Sequence, residues 1–124
     1  MREPRLAVGE LVPHFTVSTP DGQTVRYSAI WQVSNLVLVV LPRADASAER
    51  TIEQLRGIET SDTRCVVTFE PLPGLAAPAA LVADKWGEIV YLVQAPEDLP
   101  TVDDLSEWVD HVRQRCPECE GEAR

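Results

Sequence analysis

Cys116 and Cys119, in the stretch Cys116-Pro117-Glu118-Cys119-Glu120-Gly121, form the one chemically loaded motif of this 124-residue chain. Cysteines at this spacing serve as a redox dithiol, as half of a metal site, or as two incidental thiols. Redox work needs a thiolate. Here the pair follows a helical stretch, where the helix dipole is negative, and Glu118, Glu120 and Glu122 surround it. Both effects raise thiol pKa values, with Arg113 and Arg115 as partial offsets. The metal reading requires more ligands, because a Cys-x-x-Cys knuckle supplies two and structural zinc takes four. His111, a little over one helical turn before Cys116, is the candidate third. The same pair from a second chain would complete an all-cysteine site.

The other reactive side chains have plainer readings. Cys65 lies in the apolar run Arg64-Cys65-Val66-Val67-Thr68-Phe69 and reads as a small core residue. His14, next to Pro13, reads as an exposed turn residue, or as part of an entrance to a site. Trp31, Trp86 and Trp108 read as core or groove aromatics. The acidic cluster from Glu97 to Asp104 reads as helix capping and solvation, since no second group converges on it.

Composition narrows the class of partner. The net charge of −9 repels phosphate backbones and anionic lipid surfaces, so nucleic acid and membranes are excluded as expected partners. The longest apolar run, Leu36 to Leu41, is far short of the ~20 residues of a membrane helix. No signal-like apolar stretch follows Met1-Arg2-Glu3-Pro4-Arg5, and the expected location is the cytoplasm. Three cysteines, an odd count, argue against a disulfide framework. No cofactor is required for folding, and zinc at the tail is the one metal the residues would take.

The elements that must position these groups follow from periodicity and turn chemistry. Phe15-Thr16-Val17 and Thr24-Val25-Arg26-Tyr27 flank Pro20-Asp21-Gly22 and predict an N-terminal hairpin. Leu36-Val37-Leu38-Val39-Val40-Leu41 has no alternation, as expected of a central strand covered on both faces. Asp45 as N-cap and Gly57 as terminator bracket a helix with Ala48, Ile52 and Leu55 on its inner face. The run from Arg64 to Phe69 is the next strand, parallel to the first through a right-handed crossover. Glu70 to Pro78 is a loop with three prolines. Ala80–Ala83 and Glu88–Val93 flank Asp84-Lys85-Trp86-Gly87 as a second hairpin, with Gly87 in the left-handed conformation. A final helix, capped by Thr101, carries Val102, Leu105, Val109 and Val112 inward and runs to about Arg115. The expectation is one α/β domain over residues 1–124 with a mixed sheet, ending in a short cysteine tail from 116.

Three stretches carry a family resemblance. Val8-Gly9-Glu10-Leu11-Val12-Pro13-His14-Phe15-Thr16-Val17, with Asp21-Gly22-Gln23-Thr24-Val25 after it, resembles the opening of peroxiredoxins and related redoxins. Ala77-Pro78-Ala79-Ala80-Leu81-Val82-Ala83-Asp84-Lys85-Trp86-Gly87-Glu88-Ile89-Val90 is similar to that family's cis-proline hairpin. Leu36 to Leu41, running through Pro42 into a helix, occupies the place of the redox-centre strand. The resemblance covers about residues 6 to 115 and implies a thioredoxin-like fold. It also implies that Pro78 is the cis-proline and that Pro42, Asp45, Ser47 and Pro78 border the substrate groove.

The chain departs from that pattern twice. Pro42-Arg43-Ala44-Asp45-Ala46-Ser47-Ala48-Glu49 holds no cysteine where the family carries its reactive thiol, and neither serine nor carboxylate replaces a thiolate. The stretch between Phe69 and Pro78 is too short for the helix that normally precedes the cis-proline, so the fold is trimmed there. Trimming is expected to leave apolar sheet surface for a second copy to cover, which predicts a homodimer. The leading expectation is a non-peroxidatic binding or assembly module. The rivals are a thiol-disulfide oxidoreductase using Cys116 and Cys119, and a homodimer bridged by metal through the same pair.

Overall fold

The computed structural model describes residues 7–42, 45–70, 72, 74–75, 77–94 and 102–114. The tail cysteines Cys116 and Cys119, and the cap assigned to Thr101, lie outside the described residues. The element order is β1 (Thr16–Ser18), β2 (Thr24–Arg26), a 3₁₀ turn (Tyr27–Ala29), β3 (Asn35–Val40), α1 (Ala46–Arg56), β4 (Thr63–Thr68), β5 (Ala79–Ala83), β6 (Ile89–Gln94) and α2 (Val102–Gln114).

The main sheet has the order β4-β3-β5-β6. β3 and β4 are parallel, with Asn35 opposite Thr63 and Val40 opposite Thr68, and α1 makes the crossover between them. β5 pairs antiparallel with β3, and β6 antiparallel with β5. β3 therefore has a neighbour on each side, and all six of its residues are buried. With helices packed on one face and the hairpin layer on the other, the strand shows an unbroken apolar run instead of alternation. Two ends of the sheet follow from the register. Val40 and Ala79 mark one, and Leu36 and Ala83 the other.

Side chains alternate between two packed layers. Val37, Val39, Val67, Ala80 and Val82 meet Ala48 and Leu55 of α1 and Leu105, Val109 and Val112 of α2. Leu36, Leu38, Val40, Val66, Leu81 and Ile89 face the other way, onto Val17 and Val25 of the hairpin and onto Phe15 and Tyr27. No helix occurs among the described residues from 70 to 78, in agreement with the trimmed expectation. The apolar face is nonetheless covered, because Leu75 and Leu72 of this loop pack onto the second layer. The expectation that trimming leaves bare sheet surface is thus corrected: a short leucine-bearing loop takes the place of the missing helix.

The edge strand β4 is guarded by side chains. The Cys65 N–H donates to Glu59 Oε2 at 3.1 Å, and Thr68 Oγ1 donates to the Ser18 carbonyl at 2.9 Å. Such bonds occupy backbone or neighbouring positions that a foreign strand would otherwise engage.

One polar group is not accommodated. Tyr27 is 1% exposed, and among the described residues its hydroxyl has no hydrogen-bond partner. Burial, with a contribution from the Asp84 carboxylate, pushes its pKa up to about 12. An unpaired buried hydroxyl costs about 1–3 kcal/mol relative to its hydrated state. Tyr27→Phe, which keeps the stack on Phe15 at 5.3 Å, is expected to leave stability unchanged or raise it by about 1 kcal/mol. Urea denaturation of the two proteins checks this.

Candidate functional site

The Val40 and Ala79 end of the sheet brings together the residues assigned to the groove. Leu41 continues from β3, with its N–H bonded to the Thr68 carbonyl at 2.9 Å, and Pro42 follows it, exposed. Asp45 then caps α1: its carboxylate accepts from the Ala48 N–H at 2.9 Å, and its carbonyl accepts from Glu49 N–H at 3.0 Å. The negative side chain suits the positive helix end. Ser47 lies in the first turn of α1. Pro78, half-buried, immediately precedes Ala79, the partner of Val40, and the Ala77–Pro78 peptide is cis as the resemblance implies. Pro42 and Pro78 thus flank the same pair of strand residues, and α1 begins close by.

The sequence resemblance would put a reactive thiol at this helix start. In such a site the helix N-terminus favours an anionic sulfur. Here the positive end of α1 is answered by its own capping carboxylate, and residues 42–49 include no cysteine. Among the described residues at this end of the sheet there is no cysteine.

Cys65 is elsewhere. It pairs with Val37, three residues back from the Val40 end, which is about 10 Å along the strand. It is half-buried at the sheet edge, packed against the rim of the helix-side core and not inside it. The reason is topological: β4 has a strand on only one side, so its outer edge is closed by Glu59 and by the tip of the N-terminal hairpin. Cys65 lines a cleft of about 170 Å³ with Gln23, Ile52, Arg56, Glu59 and Arg64. Burial and the Glu59 carboxylate push its thiol up to about 12, against a smaller lowering by Arg64. The Arg64 Nε to Glu59 Oε2 pair at 3.4 Å is partly exposed and adds little stability.

His111 is exposed on α2, its ring edge-on to Trp108 at 5.4 Å, and Trp108 stacks on Tyr91 at 5.1 Å. Among the described residues no group of three or more His, Cys, Asp and Glu is placed to hold a metal. No described helix is long and apolar enough to cross a membrane.

Trp31 and Trp86 are 38% and 41% exposed, which corrects their assignment to the core or groove. They sit at the opposite end from Pro78, around the Asp84–Glu88 turn, where Trp31 Nε1 donates to the Trp86 carbonyl at 3.1 Å. His14 is exposed and belongs to the same group, 5.3 Å from the Trp31 ring and 5.6 Å from Tyr27. Sequence reasoning did not bring these rings together. The available signal was the spacing of Tyr27 and Trp31, one helical turn apart, ahead of a turn glycine whose φ is +92°.

No family model matches the chain, and no curated protein matches it in sequence. Solved structures do. A peroxiredoxin-like protein from Aquifex aeolicus superposes with a TM-score of 0.66 at 17% identity, over 88% of this chain and 89% of that one. The reduced 2-Cys peroxiredoxin of Plasmodium vivax gives 0.61 at 11% identity, over 87% and 97%. A thiol peroxidase from Chromobacterium violaceum gives 0.57 at 12% identity, over 92% and 91%. At these identities the likeness concerns architecture alone. With its mixed sheet, separate N-terminal hairpin and proline-bordered helix start, the chain has a thioredoxin-like fold of the peroxiredoxin type.

Proposed function

We propose that this chain is a thioredoxin-fold protein without peroxidase chemistry, acting in the cytoplasm as a binding or assembly module toward another protein or a second copy of itself. The observation that carries the reading is Asp45. The helix end that would stabilise a reactive thiolate is capped by a carboxylate, and residues 42–49 contain no thiol. On this reading Pro42 and Pro78 border a groove used for binding and not for turnover. The high pKa of Cys65 further supports the reading, because a neutral, half-buried thiol at pH 7 is a poor nucleophile.

The rival oxidoreductase places its dithiol at Cys116 and Cys119, and the metal reading has the same pair bridge two chains through zinc, with His111 as a further ligand. Turnover with hydrogen peroxide and with insulin, measured on the wild type and on a Cys116→Ala/Cys119→Ala variant, separates the first two. Background rates for both proteins are expected. Turnover in the wild type that the variant lacks would establish the rival. Loss of bound zinc and of dimer together in the variant would establish the metal bridge.

A further inference from the structure

The cleft that holds Cys65 runs along the outer edge of β4, between the tip of the N-terminal hairpin and the C-terminal half of α1. Its volume of about 170 Å³ is comparable with the ~150 Å³ of a cavity that takes up a benzene ring. The floor is apolar. Leu55 and Val67 are buried, Ile52 is half-buried against the helix-side core, and Cys65 adds a thiol that stays protonated at neutral pH.

The polar rim carries two acids and two arginines, and they differ in how far the chain itself satisfies them. The acids are engaged: Glu59 Oε2 accepts the Cys65 N–H at 3.1 Å, and Asp21 Oδ1 accepts the Thr19 hydroxyl. The arginines are not. Among the described residues the guanidinium groups of Arg56 and Arg64 make no hydrogen bond, and their carboxylate neighbours are Glu53 Oε1 at 3.6 Å and Glu59 Oε2 at 3.4 Å. Contacts this long between side chains this exposed hold a guanidinium weakly. The pKa of the Asp21 carboxyl is lowered chiefly by the Thr19 hydroxyl and in small part by Arg56, so the Arg56 charge acts toward the hairpin side of the cleft. The rim thus offers planar forks of N–H donors with no acceptor of good geometry, above a floor that offers only apolar contact.

We propose that this cleft binds a small monocarboxylate whose apolar body is about the size of one ring. The carboxylate meets Arg56 and Arg64, and the body covers Ile52, Leu55 and Val67. Both halves of the ligand are required by the lining. A neutral ring leaves the guanidinium groups without an acceptor, and a bare inorganic anion leaves the floor wet. Cys65 contributes shape here and forms no bond. The cleft is separate from the proline-bordered end of the sheet, so the inference stands independently of the function proposed for that groove.

The test is a titration of the full, reduced chain with sodium benzoate at fixed ionic strength, following backbone amide and arginine Nε–H signals by NMR. Saturable shifts are expected for the Cys65 and Gln23 amides and the Arg64 Nε–H, while the Ala79 amide, at the Pro78 end, stays in place. Benzamide, which keeps the ring and loses the charge, is expected to bind about tenfold more weakly or worse, as is acetate, which keeps the charge and loses the ring. Arg56→Gln and Arg64→Gln, at positions exposed enough to leave the core untouched, are each expected to weaken benzoate binding about tenfold. Arg50→Gln, also exposed on α1 but outside the cleft, is expected to bind like the wild type. Four results would overturn the inference: no saturable shift at tens of millimolar benzoate, benzamide or acetate binding as tightly as benzoate, an unchanged affinity in either cleft-arginine variant, or a loss in Arg50→Gln as large as theirs.

Discussion

In a Cys116→Ala/Cys119→Ala variant, which leaves Cys65 as the one thiol of the three in the sequence, iodoacetamide at pH 8 is expected to label the folded protein roughly a thousandfold more slowly than an ordinary thiol. The alkylating species is the thiolate, and raising the pKa from 9.0 to about 12 removes about three decades of it at that pH. Unfolding in urea should restore the ordinary rate. The same shift has a sign for stability. Below pH 9 Cys65 is protonated in folded and unfolded chains alike, and its contribution is constant. As pH rises through 9 toward 12 the unfolded thiol ionises first, so stability falls across that window, and Tyr27, raised from 10.0 to about 12, adds to the fall. Intact-mass labelling rates and denaturation midpoints at pH 8 and pH 10.5 check both. Rapid labelling of the folded chain would mean that Cys65 is an available nucleophile.

Leu81→Ala is expected to cost about 3–5 kcal/mol, a large share of the stability of a domain this size. Leu81 is 1% exposed and stands between Leu38 on β3 and Leu92 on β6, in the layer that the hairpin covers. Its removal leaves a cavity that strands held on both sides cannot collapse around. The urea midpoint should drop with little change in slope. Leu11→Ala, at a position 68% exposed, is expected to stay within about 0.5 kcal/mol.

Much of this architecture is legible in the residues. The unbroken run from Leu36 to Leu41 reads as a doubly covered strand, and β3 is that strand. Asp45 and Gly57 read as the two ends of a helix and bracket α1, although Gly57 ends it at φ −73° without left-handed backbone. Gly87 reads as the left-handed turn residue of the second hairpin and has φ +92°. These elements depend on local chemistry, which sequence carries directly. Pro78 was legible only through the family pattern, since an isolated proline does not announce its isomer.

What was illegible depends on tertiary placement. Cys65 sits among apolar residues, yet β4 is an edge strand, and only strand order leaves the thiol half-buried in a cleft. Trp31 and Trp86 are large apolar residues whose usual place is inside, and their exposure follows from how the 3₁₀ turn and the β5–β6 turn meet. The covering of the trimmed face likewise rests on Leu72 and Leu75, in a proline-rich loop without periodicity. Pro42, Asp45 and Pro78 lie toward one end of the sheet, while the exposed tryptophans at the far end were not anticipated.

Whether a fold without a thiol at the α1 start is inert toward peroxide is measured by adding one equivalent of hydrogen peroxide to the reduced wild-type protein and reading intact and native mass over minutes. An unchanged chain mass and an unchanged assembly state are expected. Loss of two hydrogens per chain within seconds, mapped to a Cys116–Cys119 bond, would contradict this, because a thiol would then have reduced peroxide and been resolved by its neighbour.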